Sequence, residues 1–588
     1  MADAPASRAA SGSRGVLKSL VQKELREVTR DGRFWIVALV IGALLMVSLA
    51  FGLRQSAALR AEREAAQSTA DHHFLEQDEK NPHVAAHYGT YVFKPSGALP
   101  FIDPGVDPFV GASIKLQAHQ RNAPEGVGAE DATSLARVGR LSVAAVLQLL
   151  LPLLVIGLGF SAWTAERERG TLRLLATSGT PMTTLFGGKL LGLGAALALL
   201  LAPAVALGAL VMVASGSGSA PVGRLSALLV SYGAYFVMFL ALTLWVSARS
   251  ASSRSALVAL LGVWVLTALV LPRALTEVAA AVSPLPAPNE ISRAIRASLA
   301  EGLPGGPKRE ERIGAISDEM LEREGFKGAE TLMDAALLGG IELQAEAQFE
   351  NEVLDFHHRQ LGDAIARQES FMAWLSLSAP PVAMQAISSG LAGTDGAHHR
   401  HFSEAAERHR RSLIAMLNRE FAERAGDDAW SYKAGRETWE RAPRFAYAQP
   451  PLAQVALQQP RHVVQVLLWD RLVEPEVLAE RRALGVGAEG DDRGGRITRQ
   501  EPDEQEGEHR DEEQHDDKLR QSFRDRLREF HLDSCSAPAG CSLAPSSARR
   551  AESLDRDAAV DEQRLAVAVG QRREAQVHLG RVADGPVH

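Results

Sequence analysis

One short stretch of the sequence carries charged, glycine and apolar residues in an order that suits contact with another protein. The alternating charges Glu166, Arg167 and Glu168 are followed by Gly170 and Thr171. Glycine allows a sharp turn, and threonine can cap the short helix that follows it. Such an amphipathic helix can insert into a groove on a soluble partner. The apolar side chains that we expect it to expose are Leu172, Leu174 and Leu175.

The same stretch lacks the residues that would bind a nucleotide. A phosphate-binding loop needs the pattern G-x-x-x-x-G-K-[ST]. Leu190 follows Lys189, and Thr183 takes the place of the first glycine. The G-x-G-x-x-G at residues 485–490 follows no predicted strand, and the sequence contains no H-E-x-x-H or G-x-S-x-G motif. We therefore expect no bound cofactor, no catalytic residues and no enzymatic activity on this chain.

Several histidines lie close together in sequence, but their spacing does not predict a metal site. A site needs ligands that converge, whereas adjacent histidines on one helix point in different directions. We therefore interpret these residues as surface or structural histidines and expect no metal. They are His72, His73, His357, His358, His398, His399 and His401.

The elements that must position the short stretch are long apolar runs. Over 588 residues the composition averages 46% hydrophobic and 23% charged, but the apolar residues concentrate in the first half. A bilayer core of about 30 Å needs roughly 20 apolar residues in a helix. Five uncharged runs meet that length and predict an all-α integral membrane protein. They are residues 34–53, 141–163, 190–213, 225–246 and 255–272.

Charge in the short loops predicts the orientation of these helices. Residues 16–33 carry basic side chains among leucines and valines, which suits a helix at the lipid surface. Because Lys and Arg are enriched in cytoplasmic loops, the N-terminus and the loops at 164–189 and 247–254 are predicted to be cytoplasmic. Residues 54–140 and everything after 272 then fall outside. The net charge of −8 gives no footprint for nucleic acid, so that class of partner is excluded.

The short cytoplasmic loop resembles the coupling segment of ATP-binding-cassette exporters of the type-2 class. The family pattern is acidic-basic-acidic, then Gly-Thr-Leu, then a proline turn, then Gly-Lys entering a helix. The resemblance implies a permease subunit in a dimer with a second copy or a paralogue, in a bacterial plasma membrane. It also implies that ATP and magnesium bind to a separate ATPase subunit that contacts residues 164–189. The matching residues are Glu166, Glu168, Gly170, Thr171, Leu172 and Lys189.

The two predicted outer regions are similar to a bacterial subgroup of these permeases that has a large extracytoplasmic domain. This resemblance implies six membrane helices, with the second outer region, 273–455, between the fifth and the sixth. Apolar residues at helical spacing predict that this region is mostly helical. The residues that carry the resemblance are His87, Tyr88, Gly89, Asp103, Pro104, Gly105, Gly393, Thr394, Asp395, His399 and Phe402.

The sixth membrane helix is missing where the resemblance places it. The best candidate, residues 463–469, is too short to span a bilayer, and the tail 456–588 is rich in charged and polar residues. We hypothesise that the reading frame changes near Gln459; a disordered native tail is the alternative. For function, the alternative to a permease is a membrane-anchored scaffold or sensor that binds a partner and transports nothing.

Overall fold

Helices make up most of the computed structural model, which describes residues 5–128, 141–177, 180–214, 219–323, 335–425 and 429–458. These residues belong to one compact unit, Met1–Gly487. The candidate sixth membrane helix at 463–469 and the tail from residue 459 lie outside the described residues. Both hypotheses about the tail therefore stay predictions.

The helices begin where side chains can satisfy their free backbone N–H groups. Ser142, Ser252 and Asp395 each accept such a hydrogen bond at a helix start. In the first half of the chain the helices are α1 (Pro5–Arg30), α2 (Gly32–Leu75), α3 (Pro82–Tyr88), α4 (Val143–Ala145), α5 (Leu151–Gly159), α6 (Thr164–Glu168), α7 (Thr171–Thr177), α8 (Met182–Ala214), α9 (Ser219–Arg249) and α10 (Ser253–Val265). They continue as α11 (Leu271–Val282), α12 (Pro288–Glu301), α13 (Arg309–Arg323), α14 (Ala335–Leu375), α15 (Pro380–Ala392), α16 (Gly396–Arg424), α17 (Arg436–Arg441) and α18 (Leu452–Gln458).

Five helical segments among the described residues are long and apolar enough to cross a membrane, which confirms the five predicted spans. Large apolar side chains point outward from them, including Leu39, Val213 and Val230, each more than 70% exposed. Exposed apolar surface of this extent suits contact with lipid chains. The segments are Phe34–Leu75, Val143–Glu168, Met182–Ala214, Ala220–Arg249 and Ser253–Val282.

Two of these segments contain a π-helical turn next to a proline. The turns Val146–Leu150 and Leu266–Val270 end two residues before Pro152 and Pro272. Proline lacks an N–H and crowds the preceding turn, so a wider turn relieves the clash. The helix thereby continues past Pro272, where the last apolar run was predicted to end, to Val282.

The polar part of the protein, residues 54–128 and 283–449, contains a small antiparallel sheet that sequence did not predict. Its strands are β1 (Thr90–Phe93), β2 (Gly111–Gln117), β3 (Gln120–Arg121) and β4 (Glu125–Val127). β2 pairs with all three of the others, in the register Val92↔Ile114 with β1. The side chains of Val92, Ile114 and Leu116 pack against Phe402 of α16. The region 273–455 is mostly helical in its described residues, as predicted.

Helix α15 joins the polar part to the membrane helices. Met384, Ile387 and Leu391 belong to the same buried cluster as Tyr235 and Phe239 of α9. The helix lies within the region predicted from sequence to be extracytoplasmic, 273–455, and its apolar side chains pack on a membrane helix. The two parts of the protein therefore share one core.

Candidate functional site

The predicted coupling segment folds as two short helices joined by a tight turn. α6 ends at Glu168, Gly170 adopts a left-handed φ of 74°, and α7 begins at Thr171. The Thr171 hydroxyl donates to the carbonyl oxygen of Glu166 at 3.2 Å, which holds the turn closed. The expected glycine turn is present. Thr171 is the first residue of α7, and its hydroxyl bond runs back to α6, so this bond is not the helix cap that the sequence suggested.

Glu166 is buried within a group of four charges, which we call the charge cluster: Lys23, Glu24, Glu166 and Lys189. A Glu166 carboxylate oxygen lies 2.8 Å from Lys189 Nζ and 3.1 Å from Lys23 Nζ. Lys189 also pairs with Glu24 at 3.0 Å. The two positive and two negative charges balance, as buried ions require. The charge cluster therefore ties the coupling segment to α1 and to α8.

Two glycines of α8 let α1 come close enough to form the charge cluster. A Cβ atom added to Gly192 would lie 2.5 Å from the Glu24 Cβ, and one added to Gly188 would lie 2.7 Å from the Leu20 Cβ. No side chain larger than hydrogen fits at these positions without moving α1. In the Gly-Lys pair that matches the family pattern, Gly188 therefore allows the close contact between α8 and α1, and Lys189 supplies a buried positive charge.

Arg167 and Glu168 bind the turn between α9 and α10. The Arg167 guanidinium donates to the carbonyl oxygens of Ala248, at 2.6 Å, and Ser250. Glu168 accepts hydrogen bonds from Ser253 N at 2.7 Å and Ser253 Oγ at 3.1 Å, at the start of α10. A carboxylate is favourable at a helix N-terminus. The run Glu166 to Glu168 therefore contacts α1, α8, α9 and α10 together.

Only part of the predicted apolar surface of α7 is exposed. Leu174 is 73% exposed, whereas Leu172 and Leu175 pack against the buried core of the membrane helices. The prediction that all three leucines are exposed is wrong for these two. A seven-residue helix beside a core presents only one narrow face outward.

Two of the sequence motifs in the polar part, residues 103–105 and 393–395, contact each other. The Thr394 hydroxyl donates to the carbonyl oxygen of Asp103 at 3.0 Å, and Val106 N donates to the carbonyl oxygen of Thr394 at 2.9 Å. A Cβ on Gly105 would lie 2.4 Å from the Thr394 oxygen, so only glycine fits there. The residues involved, Asp103, Pro104 and Gly105 with Gly393, Thr394 and Asp395, form a structural joint.

The remaining motif residues lie apart from that joint. Phe402 is fully buried against the sheet, and His399 is near Lys94 and Asp107. His87, Tyr88 and Gly89 end α3, where a Cβ on Gly89 would meet the carbonyl oxygen of Leu116. His87 has neighbours that sequence reasoning missed: His83 and His119. The spacing His83-x-x-x-His87, one helical turn, was the signal available in the sequence.

A cavity of about 790 Å³ opens between α2, β1 and the segment 439–447 of the polar part. Its walls carry both basic and acidic side chains, including Arg60, Arg63, Asp71 and Glu440. A volume of this size falls within the range of small-molecule sites.

Lys189 and Lys23 share two ion-pair partners, Glu24 and Glu166, but differ in burial, so they can be compared by mutation; Lys23 also pairs with the exposed Glu27 at 3.6 Å. The Lys189 side chain is 5% exposed and that of Lys23 is 41% exposed. Lys189→Met leaves two buried carboxylates short of a cation and is expected to destabilise by about 3–5 kcal/mol. Lys23→Met should cost about 1 kcal/mol or less, because the Lys23 ammonium is already partly in water and the buried Lys189 still faces both carboxylates. Thermal unfolding of the purified variants measures both, and equal losses would contradict the burial argument.

His399 should make stability depend on pH. Burial, with the charge of Lys94 and despite that of Asp107, lowers the pKa of His399 to about 4, with Arg400 also lowering it. The unfolded chain takes up a proton near pH 6.5 and the folded protein does not, so stability is lost as pH falls from 6.5 toward 4. His399→Gln should therefore lose less melting temperature than wild type between pH 7.5 and 5. The exposed His73→Gln is the control and should follow wild type.

Comparison with known proteins agrees with this architecture. The family model described as ABC-2 family transporter protein matches residues 19–418, which is more than half of the chain. No curated protein matches the sequence. The matched range contains all five candidate membrane helices and the coupling segment. The chain therefore belongs to the ABC-2 transporter family and is a multi-pass membrane component of a permease-type transporter.

Proposed function

We propose that this chain is the membrane-spanning subunit of an exporter driven by ATP hydrolysis on a separate ATPase subunit. The observation that carries the proposal is the coupling segment, in which an exposed Leu174 projects from α7 while the adjoining α6 is bonded to α1, α8, α9 and α10. A partner that holds α7 by this face would have a firm connection to the membrane helices. ATP and magnesium belong to that partner.

Motion of α7 would reach the membrane helices through short polar contacts. Glu166 passes a displacement to α1 and α8 by ion pairs of 2.8–3.1 Å, and Arg167 and Glu168 pass it to the turn between α9 and α10. Buried ion pairs resist separation, because pulling them apart leaves uncompensated charge. Alternating access between two such membrane domains in a dimer then follows from rocking of these helices.

We place the protein in the bacterial plasma membrane, with the N-terminus and the coupling segment in the cytoplasm. Basic residues collect around that segment, with Arg26 and Arg30 on α1 and Arg249 and Arg254 at the turn that Arg167 contacts. This charge bias supports a cytoplasmic position. The polar part, including the sheet and α14 and α16, then lies outside the cytoplasm.

A membrane-anchored sensor is the second candidate, and the 790 Å³ cavity in the polar part favours it. Such a protein would bind a ligand and need no ATPase. Copurification of an ATPase with the chain from native membranes distinguishes the two.

Replacing Leu174 tests the proposed contact. Leu174→Asp removes an exposed apolar group and should weaken binding of the ATPase subunit about tenfold or more, since burying one leucine is worth about 1.5–3 kcal/mol. ATP-driven export should fall in parallel, measured in vesicles together with retention of the ATPase during purification. The control is Leu285→Asp. Leu285 is also exposed, at 43%, but lies in the polar part and not in the coupling segment. Equal ATPase retention in both variants would contradict the assignment of α7.

Cysteine labelling tests the orientation. Thr177→Cys and Leu285→Cys are made in a variant whose two native cysteines, Cys535 and Cys541, are serines. A membrane-impermeant maleimide added to intact cells should label position 285 and reach position 177 only after permeabilisation. Labelling of position 177 in intact cells would overturn the proposed topology, and with it access of an ATPase to α7.

A further inference from the structure

Three histidines lie side by side in the polar part, two on helix α3 and one in the turn between two strands. His83 and His87 lie one turn apart on α3, and their Nε2 atoms are 3.1 Å apart. His119 belongs to the turn between β2 and β3, and one ring nitrogen of each histidine lies within 4.8 Å of the others. This group, His83, His87 and His119, is called the histidine trio below. The three ring nitrogens therefore converge, whereas histidines that are adjacent in the sequence are expected to point in different directions.

The backbone around the histidine trio is held in place from both sides. The Asn81 side chain accepts a hydrogen bond from His83 N at 2.9 Å, which caps α3. Ala118 N donates to the carbonyl oxygen of Ala86 at 2.9 Å, so the strand turn is pinned to the helix. His119 itself has a φ of 62°, a left-handed conformation that is unfavourable for a residue with a Cβ atom. The fold therefore holds this imidazole in place at a conformational cost.

The spacing suits a tetrahedral metal ion. Imidazole nitrogens bind Zn²⁺ at about 2.0–2.1 Å, which separates two ligand nitrogens by about 3.3 Å. The pair on α3 is already near that separation, and a small side-chain movement brings in the third nitrogen. His87 is exposed at its edge, so an ion can enter from solvent.

A carboxylate orients the third histidine. Glu350 Oε1 on α14 lies 2.8 Å from His119 Nδ1 and fixes which ring nitrogen remains to face the other two histidines. Carboxylates hold metal-binding histidines in this way in many sites.

We propose that His83, His87 and His119 bind one Zn²⁺ ion, with Glu350 as the positioning residue and a fourth coordination position open to water or a ligand. Zinc suits the site because three imidazoles with an open position form a common tetrahedral arrangement for this ion. Cu²⁺ would compete, because it binds nitrogen ligands more strongly than other divalent ions. This site replaces the sequence-based expectation that the chain binds no metal, and it does not depend on the proposed transport function.

Direct metal binding tests the site. The full-length protein, purified in detergent with an affinity tag free of histidine, is stripped with a chelator and dialysed against Zn²⁺ with a competing chelator. Elemental analysis should find one tightly held equivalent. His87→Ala should weaken binding at least about tenfold, and Glu350→Gln about 10–100-fold, as expected for loss of an orienting carboxylate. The double variant His72→Ala/His73→Ala, which removes two exposed histidines of α2, should bind as wild type does.

A spectroscopic probe separates a metal site from a merely structural cluster. Co²⁺ added to the stripped protein should give intense visible absorption bands typical of tetrahedral coordination, and these should vanish in His87→Ala. Because His87 is exposed, this variant should keep the metal-free melting temperature of wild type. Zinc binding that His87→Ala leaves unchanged, or no bound zinc in wild type, would overturn the proposal and leave the trio as hydrogen-bonded structural histidines.

Discussion

The buried pairing of Lys189 with Glu24 and Glu166 is the interaction on which the rest of the membrane part depends. Each of these residues is less than 10% exposed, and an unpaired charge at such a position is strongly unfavourable. The three groups come from α8, α1 and α6, so the helices must stay together for the charges to stay paired. Glycines on α8 provide the close approach. The coupling segment is therefore built into the helix packing at its base and presents only α7 outward.

A second set of polar contacts joins the membrane helices to the polar part. Tyr232 of α9 bonds to Ser388 of α15 at 3.0 Å and accepts a hydrogen bond from Gln148 at 3.0 Å. Arg224 donates to the carbonyl oxygens of Gly390 and Leu391 in the last turn of α15. Since α15 also carries Thr394 just beyond its end, motion of α9 would reach the loop at Asp103. Ion pairs thus connect one end of the membrane helices to the coupling segment, and hydrogen bonds connect the other end to the joint formed by Asp103 and Thr394.

Several sequence-based expectations changed for one reason, which is that a side chain's exposure depends on its neighbours. Leu172 and Leu175 were predicted to face a partner and instead pack on the core. Glu166 and Lys189 fit the family pattern, yet both are buried and bind each other. The motifs at 103–105 and 393–395 were noted separately and form one joint. In each case the residue types indicated which segments matter, but they did not predict which residues contact one another.

The sequence by itself determined the membrane character, because five uncharged runs in one chain each have the length that a bilayer core requires, and it determined the local turn at Gly170. It also predicted that the region 273–455 is mostly helical, through apolar residues such as Phe349 and Val353 at helical spacing. Only the tertiary structure decided the charge cluster and the histidine trio. Lys23 and Glu24 are more than a hundred residues from Glu166 and Lys189, and His119 is about thirty residues from His87. Convergence over such distances arises from helix and sheet packing, which no short sequence pattern encodes.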